Sequence, residues 1–294
     1  MAQWHILCCY EREMVTLAPG PLVDANQRVH ALWNGPANFP SEQSCLDLTL
    51  VLPTYNEREN LPLLFGQIDH ALQRLCFEVI VVDDDSPDQT WAVAREFQKR
   101  YPWLHVIRRR QVRGLSSAVI CGFRHGRGRV LGVMDADLQH DVALVPALLE
   151  EIAHAEFAVA TRRAAGGSDG KWSRFRRLGS AIATMLARFL ANVPLSDPMS
   201  GFFAVRREVF ESIDDGDLRP RGYKILIYLY VRAVHRFGKS AIRLRELGYQ
   251  FANRQRGRSK LTPRVMLDYF LMLMELRFKT PFRLARPRWS HTVF

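Results

Sequence analysis

The chain has 294 residues, 48% of them hydrophobic and 24% charged, enough for one large domain with appendages. Its five cysteines are an odd number without a CxxC pair, which argues against a disulfide framework or a cysteine zinc site and for reduced thiols of a cytosolic protein. The net charge of +11 is concentrated in residues 162–177, with six Arg/Lys against one Asp, and residues 254–288, with ten against Asp268 and Glu275.

Residues 1–45 show no sustained period and carry Pro19, Gly20, Pro21, Gly35, Pro36 and Pro40, so they read as a poorly ordered extension. The segment WHILCCY lacks a basic flank and runs into Glu11 and Glu13, a poor signal peptide. Order is expected from Leu46, where LDLTLVL reads as a first strand ending in Pro53-Thr54-Tyr55-Asn56-Glu57. Leu61, Leu64, Phe65, Ile68, Leu72 and Leu75 then recur at helical spacing. Residues 77–85 (FEVIVVDDD) predict a second strand ending in three aspartates, residues 88–101 a helix, and residues 104–109 a third strand. A helix over about 115–125 leads to RVLGVMDADLQHD (129–141), the stretch that organises the chain. Its apolar run is a buried strand, and Asp135, Asp137, Gln139 and Asp141 follow at alternate positions. Two carboxylates and an amide oxygen at a strand end suit Mg²⁺ or Mn²⁺. Taken alone, the triplet reads rather as an acidic turn with Asp137 capping the next helix.

Residues 146–153 predict a helix and 157–162 a fifth strand. Strands alternating with helices imply a parallel α/β sheet, which lays the polar clusters after strands one, two and four along one edge. Neither GxGxxG nor GxxxxGK[ST] occurs, which excludes an ordinary dinucleotide fold or P-loop. AAGGSDGK (164–171) reads as a mobile lid or a simple connector. A helix through 191 follows, then SDPMSGFFAVRR (196–207) turning into a short strand. A mostly buried helix is expected over 222–237, a late strand over 240–247 and a basic irregular stretch over 251–261.

The last helix, 263–279, has one polar stripe of Arg264, Asp268, Glu275 and Lys279 in otherwise apolar surroundings, and PFRLARPRW follows it. It reads as a membrane-interface helix with a cationic, aromatic anchor. The alternative is a docked C-terminal helix, which would leave other apolar faces in water. No run of about 18 uncharged apolar residues exists, so no transmembrane helix is expected.

LVLPTYNERENL, VVDDDSPDQT, GLSSA, MDADLQHD, SDPMSGF and the RxxGxSKL pattern from Arg254 to Leu261 together resemble family 2 glycosyltransferases, most of all the dolichol-phosphate or polyprenol-phosphate mannosyltransferases. The likeness implies an α/β fold of GT-A type, a Rossmann-like, mostly parallel sheet flanked by helices. The implied layout is an extension (1–45), a transferase domain (46–261) and an interfacial helix with a basic tail (262–294). The implied activity is inverting, metal-dependent transfer of a hexose, mannose from GDP-mannose, to dolichyl or polyprenyl monophosphate. By the same resemblance, Pro53, Tyr55, Glu57, Asp83, Asp84, Ala136 and Lys260 contact the donor. Asp135, Asp137 and Gln139 bind Mg²⁺ or Mn²⁺. Arg162, Arg176, Ser180, Arg254 and Ser259 hold the acceptor phosphate, and Asp137, Arg162 and Arg176 carry catalysis.

Three positions depart from the family pattern: Tyr228 stands where Glu is usual, Arg258 where an acidic residue precedes the Ser, and Arg163 where an aromatic residue is usual. The implied setting is peripheral, on the cytoplasmic face of a membrane, with room for a separate membrane partner subunit. Phosphate ligands account for both basic patches without nucleic acid, for which no binding motif is present. A UDP-glucose-dependent polyprenyl-phosphate glucosyltransferase and a weakly active lipid-phosphate-binding adaptor remain the alternatives.

Overall fold

The computed structural model describes residues 46–163, 174–216, 218, 224–250 and 263–278, with only the backbone for 174–182 and 263–266. The N-terminal extension, the Gly-rich 164–171, the basic 251–261 and the tail beyond 278 lie outside the described residues.

Seven strands form one sheet in the order β3-β2-β1-β4-β6-β5-β7. They are β1 (Leu48–Thr54), β2 (Phe77–Asp83), β3 (Leu104–Arg108), β4 (Val130–Val133), β5 (Phe157–Thr161), β6 (Phe203–Arg206) and β7 (Leu244–Gly248). Helices α1 (Leu61–Leu72), α2 (Thr90–Gln98), α3 (Leu115–His125) and α4 (Val145–Ile152) connect the first five strands. After them come α5 (Arg174–Ala191), α6 (Arg207–Ile213), α7 (Ile225–Phe237) and α8 (Pro263–Phe278).

β1 pairs in parallel with β2 and β4, and β2 with β3. The sheet is mostly parallel, as expected; the exception is β6, which runs antiparallel to both β4 and β5, while β7 is parallel to β5. The ends of β1, β2, β4, β5 and β7 therefore share one edge with the start of β6.

Alternation along each strand divides the core between the two faces. Leu48, Leu50 and Leu52 of β1 join Val79 and Val81 under α1 and α4. Val51 joins Ile80, Val82, Leu131, Phe157 and Phe203 on the opposite face, under α3, α5 and α7. On that face α3 lies close against the sheet, because a Cβ at Gly122 would come within 2.5 Å of the Val51 side chain.

Below the opposite edge, Glu78 is buried and accepts from the Thr49 hydroxyl (2.7 Å) and the Arg127 guanidinium (2.8 and 3.0 Å). Burial alone would raise its pKa. The hydrogen bonds from Thr49 and Arg127, with the Arg127 charge, outweigh that and hold the carboxyl below its ordinary value.

α8 is docked. Tyr269, Met272, Leu273 and Leu276 enter the core beside α5, and the Tyr269 hydroxyl donates to the Ala183 carbonyl at 2.8 Å. A second apolar face stays in water: Leu267, Phe270, Leu271 and Phe278, with Met185 and Phe189 of α5. Phe189 is 84% exposed. No helix among the described residues is long and apolar enough to cross a membrane.

Candidate active site

Asp135 and Asp137 leave the end of β4 in a turn whose reversal falls on Leu138, at φ 59°. The Asp137 carboxylate accepts from the Gln139 backbone N–H at 3.2 Å, and the Asp135 side chain is about one-third exposed. Asp141 caps the 3₁₀ turn that starts at Val142, accepting from Ala143 N–H at 3.0 Å. The helix-capping role therefore falls to Asp141. Behind Asp135 lies Gly201, where an added Cβ would meet the carboxylate at 2.5 Å. Asp135, Asp137 and Gln139 are an all-oxygen donor set, and bare glycine backbone leaves space for the first carboxylate. That arrangement fits a hard divalent cation. Among the described residues no three His, Cys, Asp or Glu side chains converge as a ready-made cage. A cation here would complete its shell from substrate phosphate and water.

On the β1–β2 side, Asp83 is fully buried and accepts from the Thr54 hydroxyl (2.9 Å) and from Ser86 through N–H (2.9 Å) and hydroxyl (2.6 Å). Asp84 faces the loop before α3: it accepts from Arg109 Nε (2.8 Å) and Gly114 N–H (2.7 Å) and is paired with the Arg109 guanidinium terminus. Gly114, at φ 132°, makes the turn that lets its N–H reach this carboxylate. Both aspartates thus also brace the strand ends and the loop. Tyr55 and Glu57 flank the same rim, half-buried, with the Arg113 guanidinium 5.9 Å from the Tyr55 ring centre. Glu57 accepts from the Asn60 amide at 2.6 Å and donates its own N–H to Thr90 at 3.0 Å. Pro53 is half-buried in β1, and Ala136 is buried between the two candidate metal aspartates.

On the other side of β4, Arg162 is buried at the end of β5 and paired with fully buried Asp197 at 2.6 and 2.7 Å. Asp197 also accepts from Met199 N–H at 3.2 Å, and Lys224 Nζ donates to the Met199 carbonyl at 3.2 Å. Burial pushes the Lys224 pKa down, against the opposing pull of Asp135 and Asp197. Arg163 donates to the Thr184 hydroxyl at 3.3 Å. It lines a groove of about 440 Å³ with Thr184, Met185, Arg188 and Phe189. One edge of the sheet therefore carries two carboxylates suited to a cation beside the buried Arg162 fork, which is suited to an anion.

A family model described as glycosyl transferase family 2 matches residues 49–214, more than half of the chain. The chain is a family 2 glycosyltransferase. The transferase is 43% identical over 234 residues to a dolichol-phosphate mannosyltransferase of Pyrococcus furiosus, an alignment of 79% of this chain and 64% of that longer relative. It is 35% identical to the dolichol-phosphate mannosyltransferase of Saccharomyces cerevisiae, over 79% of this chain and 87% of the relative. It is 38% identical to the polyprenol monophosphomannose synthase of Mycolicibacterium smegmatis, over 72% and 80%. Among solved structures, glucosyl-3-phosphoglycerate synthase from Mycobacterium tuberculosis, in complex with Mn²⁺, UDP-glucose and glycerol 3-phosphate, aligns with a TM-score of 0.59. It does so at 18% identity, over 85% of this chain and 88% of that one. At that identity the likeness shows the fold, which is the GT-A arrangement.

The transferase thus brings Tyr55, Glu57, Asp83, Asp84, Asp135, Ala136, Asp137, Gln139 and Arg162 to one edge. Of Arg176 and Ser180 only the helical backbone of α5 is described, and Arg254, Ser259 and Lys260 lie outside the described residues. Tyr228 is half-buried on α7, against the core, with the Arg232 guanidinium 5.9 Å from its ring centre. Sequence reasoning did not single out Asp197 and Lys224. The signals were present: Asp197 lies inside SDPMSGF, and Lys224 is the lone charge at the head of an apolar helix.

Proposed function

We propose that this transferase moves mannose from GDP-mannose to a dolichyl or polyprenyl monophosphate, with inversion, at the cytoplasmic face of a membrane. The observation that carries the reading is the 35–43% identity to mannosyltransferases named for lipid-phosphate acceptors. The polarity of the sheet edge supports it. Pro53, Tyr55, Glu57, Asp83, Asp84 and Ala136 border the donor's base and ribose, and Lys260 reaches the donor phosphates. Asp135, Asp137 and Gln139 hold Mg²⁺ or Mn²⁺, which when bound neutralises charge on the leaving diphosphate. Arg162, Arg176, Ser180, Arg254 and Ser259 hold the acceptor phosphate, and Asp197 orients the Arg162 fork.

A phosphate monoester has a second pKa of about 6, so the nucleophile is already largely dianionic at neutral pH. Catalysis then rests on alignment and charge screening, with no side chain needed as general base. The groove beginning at Arg163 gives the isoprenoid chain an apolar path away from the phosphate. Residues 262–294, the exposed face of α8 and the neighbouring Phe189 and Met185 seat the protein in the interface, where Arg163, Arg188 and Arg277 meet anionic headgroups. The test incubates the purified chain with labelled GDP-mannose or UDP-glucose and a short polyprenyl phosphate. Mannosyl lipid from GDP-mannose is expected. Glucosyl lipid alone would reassign the donor, and no product with either would leave a binding protein.

A further inference from the structure

His140 follows the candidate metal residues directly and is buried, with 4% of its side chain exposed. Its ring stacks edgewise on Phe202 at 5.3 Å and tilts against Tyr249 at 5.7 Å between ring centres. Nδ1 lies 2.8 Å from the Tyr249 hydroxyl, and Nε2 lies 3.6 Å from Asp135 Oδ2. Tyr249 is itself buried at the end of β7, and its backbone N–H donates to the Thr161 carbonyl at 3.0 Å, next to Arg162. It also stands immediately before the stretch that contains Arg254, Ser259 and Lys260.

A neutral imidazole has one N–H and one lone pair, and its neighbours choose between them. A carboxylate opposite Nε2 favours the tautomer with hydrogen on Nε2, which leaves Nδ1 to accept from the tyrosine. Burial raises the Tyr249 pKa, against the pull of Arg162 and with help from Asp197, Asp135 and Asp137, so the phenol keeps the proton it donates.

We infer that His140 and Tyr249 are positioning residues, a hydrogen-bonded pair that aims an N–H at Asp135 and sets the angle of that carboxylate toward a divalent cation. The inference rests on the reading that Asp135 and Asp137 bind the cation. At 3.6 Å the Nε2–Asp135 contact is longer than a hydrogen bond, so it orients through charge and dipole. Partners of ligating carboxylates change metal affinity about 10- to 100-fold when removed. The Tyr249 hydroxyl reaches Asp135 through the imidazole, so its effect on the cation should vanish when the imidazole is absent.

The experiment titrates Mn²⁺ into the full chain with GDP or UDP present and follows free aqueous Mn²⁺ by electron paramagnetic resonance. His140→Phe, which keeps a ring against Phe202, should weaken Mn²⁺ binding about 10- to 100-fold. Tyr249→Phe, which removes one oxygen from a packed ring, should weaken it roughly tenfold at most. The double variant should match His140→Phe alone, and His140→Gln, which restores an N–H donor, should recover part of the loss. Asp137→Asn separates the two levels of the argument. If it leaves Mn²⁺ binding intact, the metal reading fails and this inference with it. If it abolishes binding while His140→Phe and Tyr249→Phe do not alter it, only the positioning role is overturned. A Tyr249 effect that persists in full without the imidazole would overturn it as well.

Discussion

Gly201→Ala isolates the placement of Asp135 from the stability of the fold. The new methyl would stand 2.5 Å from Oδ2, 2.9 Å from Cγ and 3.0 Å from Oδ1 of Asp135. Ordinary contact begins near 3.4 Å, so the carboxylate must retreat by about 0.9 Å. The obstructing atoms are the tip of a partly exposed side chain, so the displacement falls on the carboxylate, and the backbone has no need to move. Gly201 is not among the positive-φ glycines, and alanine there should gain about 0.4–1 kcal/mol from the unfolded chain, offsetting residual strain. A misplacement near 1 Å at a reacting centre costs on the order of 10²-fold in rate, or about 2.7 kcal/mol. The expected outcome is a melting temperature within a few degrees of wild type, with kcat for sugar transfer about a hundredfold lower and a raised Mn²⁺ requirement. The assay pairs thermal melting by circular dichroism with initial rates of labelled mannosyl-lipid formation across a Mn²⁺ series. Wild-type rate at wild-type Mn²⁺ dependence would refute the claim that the glycine exists to seat Asp135.

Deleting α8 would remove Tyr269, Met272, Leu273 and Leu276 from the core, so membrane binding is better tested on its outer face. Phe189→Asp, Leu267→Asp and Phe278→Asp combined should leave melting nearly unchanged and abolish flotation with anionic liposomes, since a buried apolar side chain contributes about 1.5–3 kcal/mol. Undiminished flotation would remove this face from the interface. Asp197→Asn should lower stability by about 3 kcal/mol in urea titration, because a buried guanidinium loses its counter-charge. It should also raise the KM for polyprenyl phosphate, and an unchanged KM would make the pair purely structural. Glu78 has a folded pKa below its unfolded value, so its contribution is present above the unfolded carboxylate range near 4.3 and fades as pH falls through the folded value. Glu78→Gln should lose about 3 kcal/mol at pH 7 and show a shallower loss of stability below pH 4 than wild type, and parallel acid titrations of the two would contradict this.

The first five strands were legible because each is a short, mostly apolar run bounded by polar residues, and α1 was legible because Leu61, Leu64, Phe65, Ile68 and Leu72 recur at helical spacing. The reversal of β6 was not, since FAVR looks the same in either direction and orientation is decided by long-range pairing. The short α6 was missed because seven residues carry too little period. The late strand begins four residues after the expected point, because Lys239–Ala241 form a 3₁₀ turn. At the site, the acidic residues after β1, β2 and β4 could be read from spacing and resemblance. The engagement of Asp84 with Arg109 and of Arg162 with Asp197 could not, because each pair joins segments about 25 to 35 residues apart.

The reversed strand also brings the chain back, after α5, to the sheet edge that it left at the end of β5. β5 ends and β6 begins at the same edge, side by side, so the whole excursion through α5 leaves and re-enters the sheet at one point. Its two stems are clasped by the Ala160 N–H to Phe202 carbonyl bond at 3.0 Å, by the Ser200 hydroxyl on the Ala160 carbonyl at 2.7 Å, and by the Arg162–Asp197 pair. A loop closed at its neck can lengthen at little cost, about 0.6 kcal/mol per doubling. Changes of length in that excursion outside α5 can therefore be taken up above the neck without shifting strand register, while α5 itself stays held by Ala183 and Ala187 in the core.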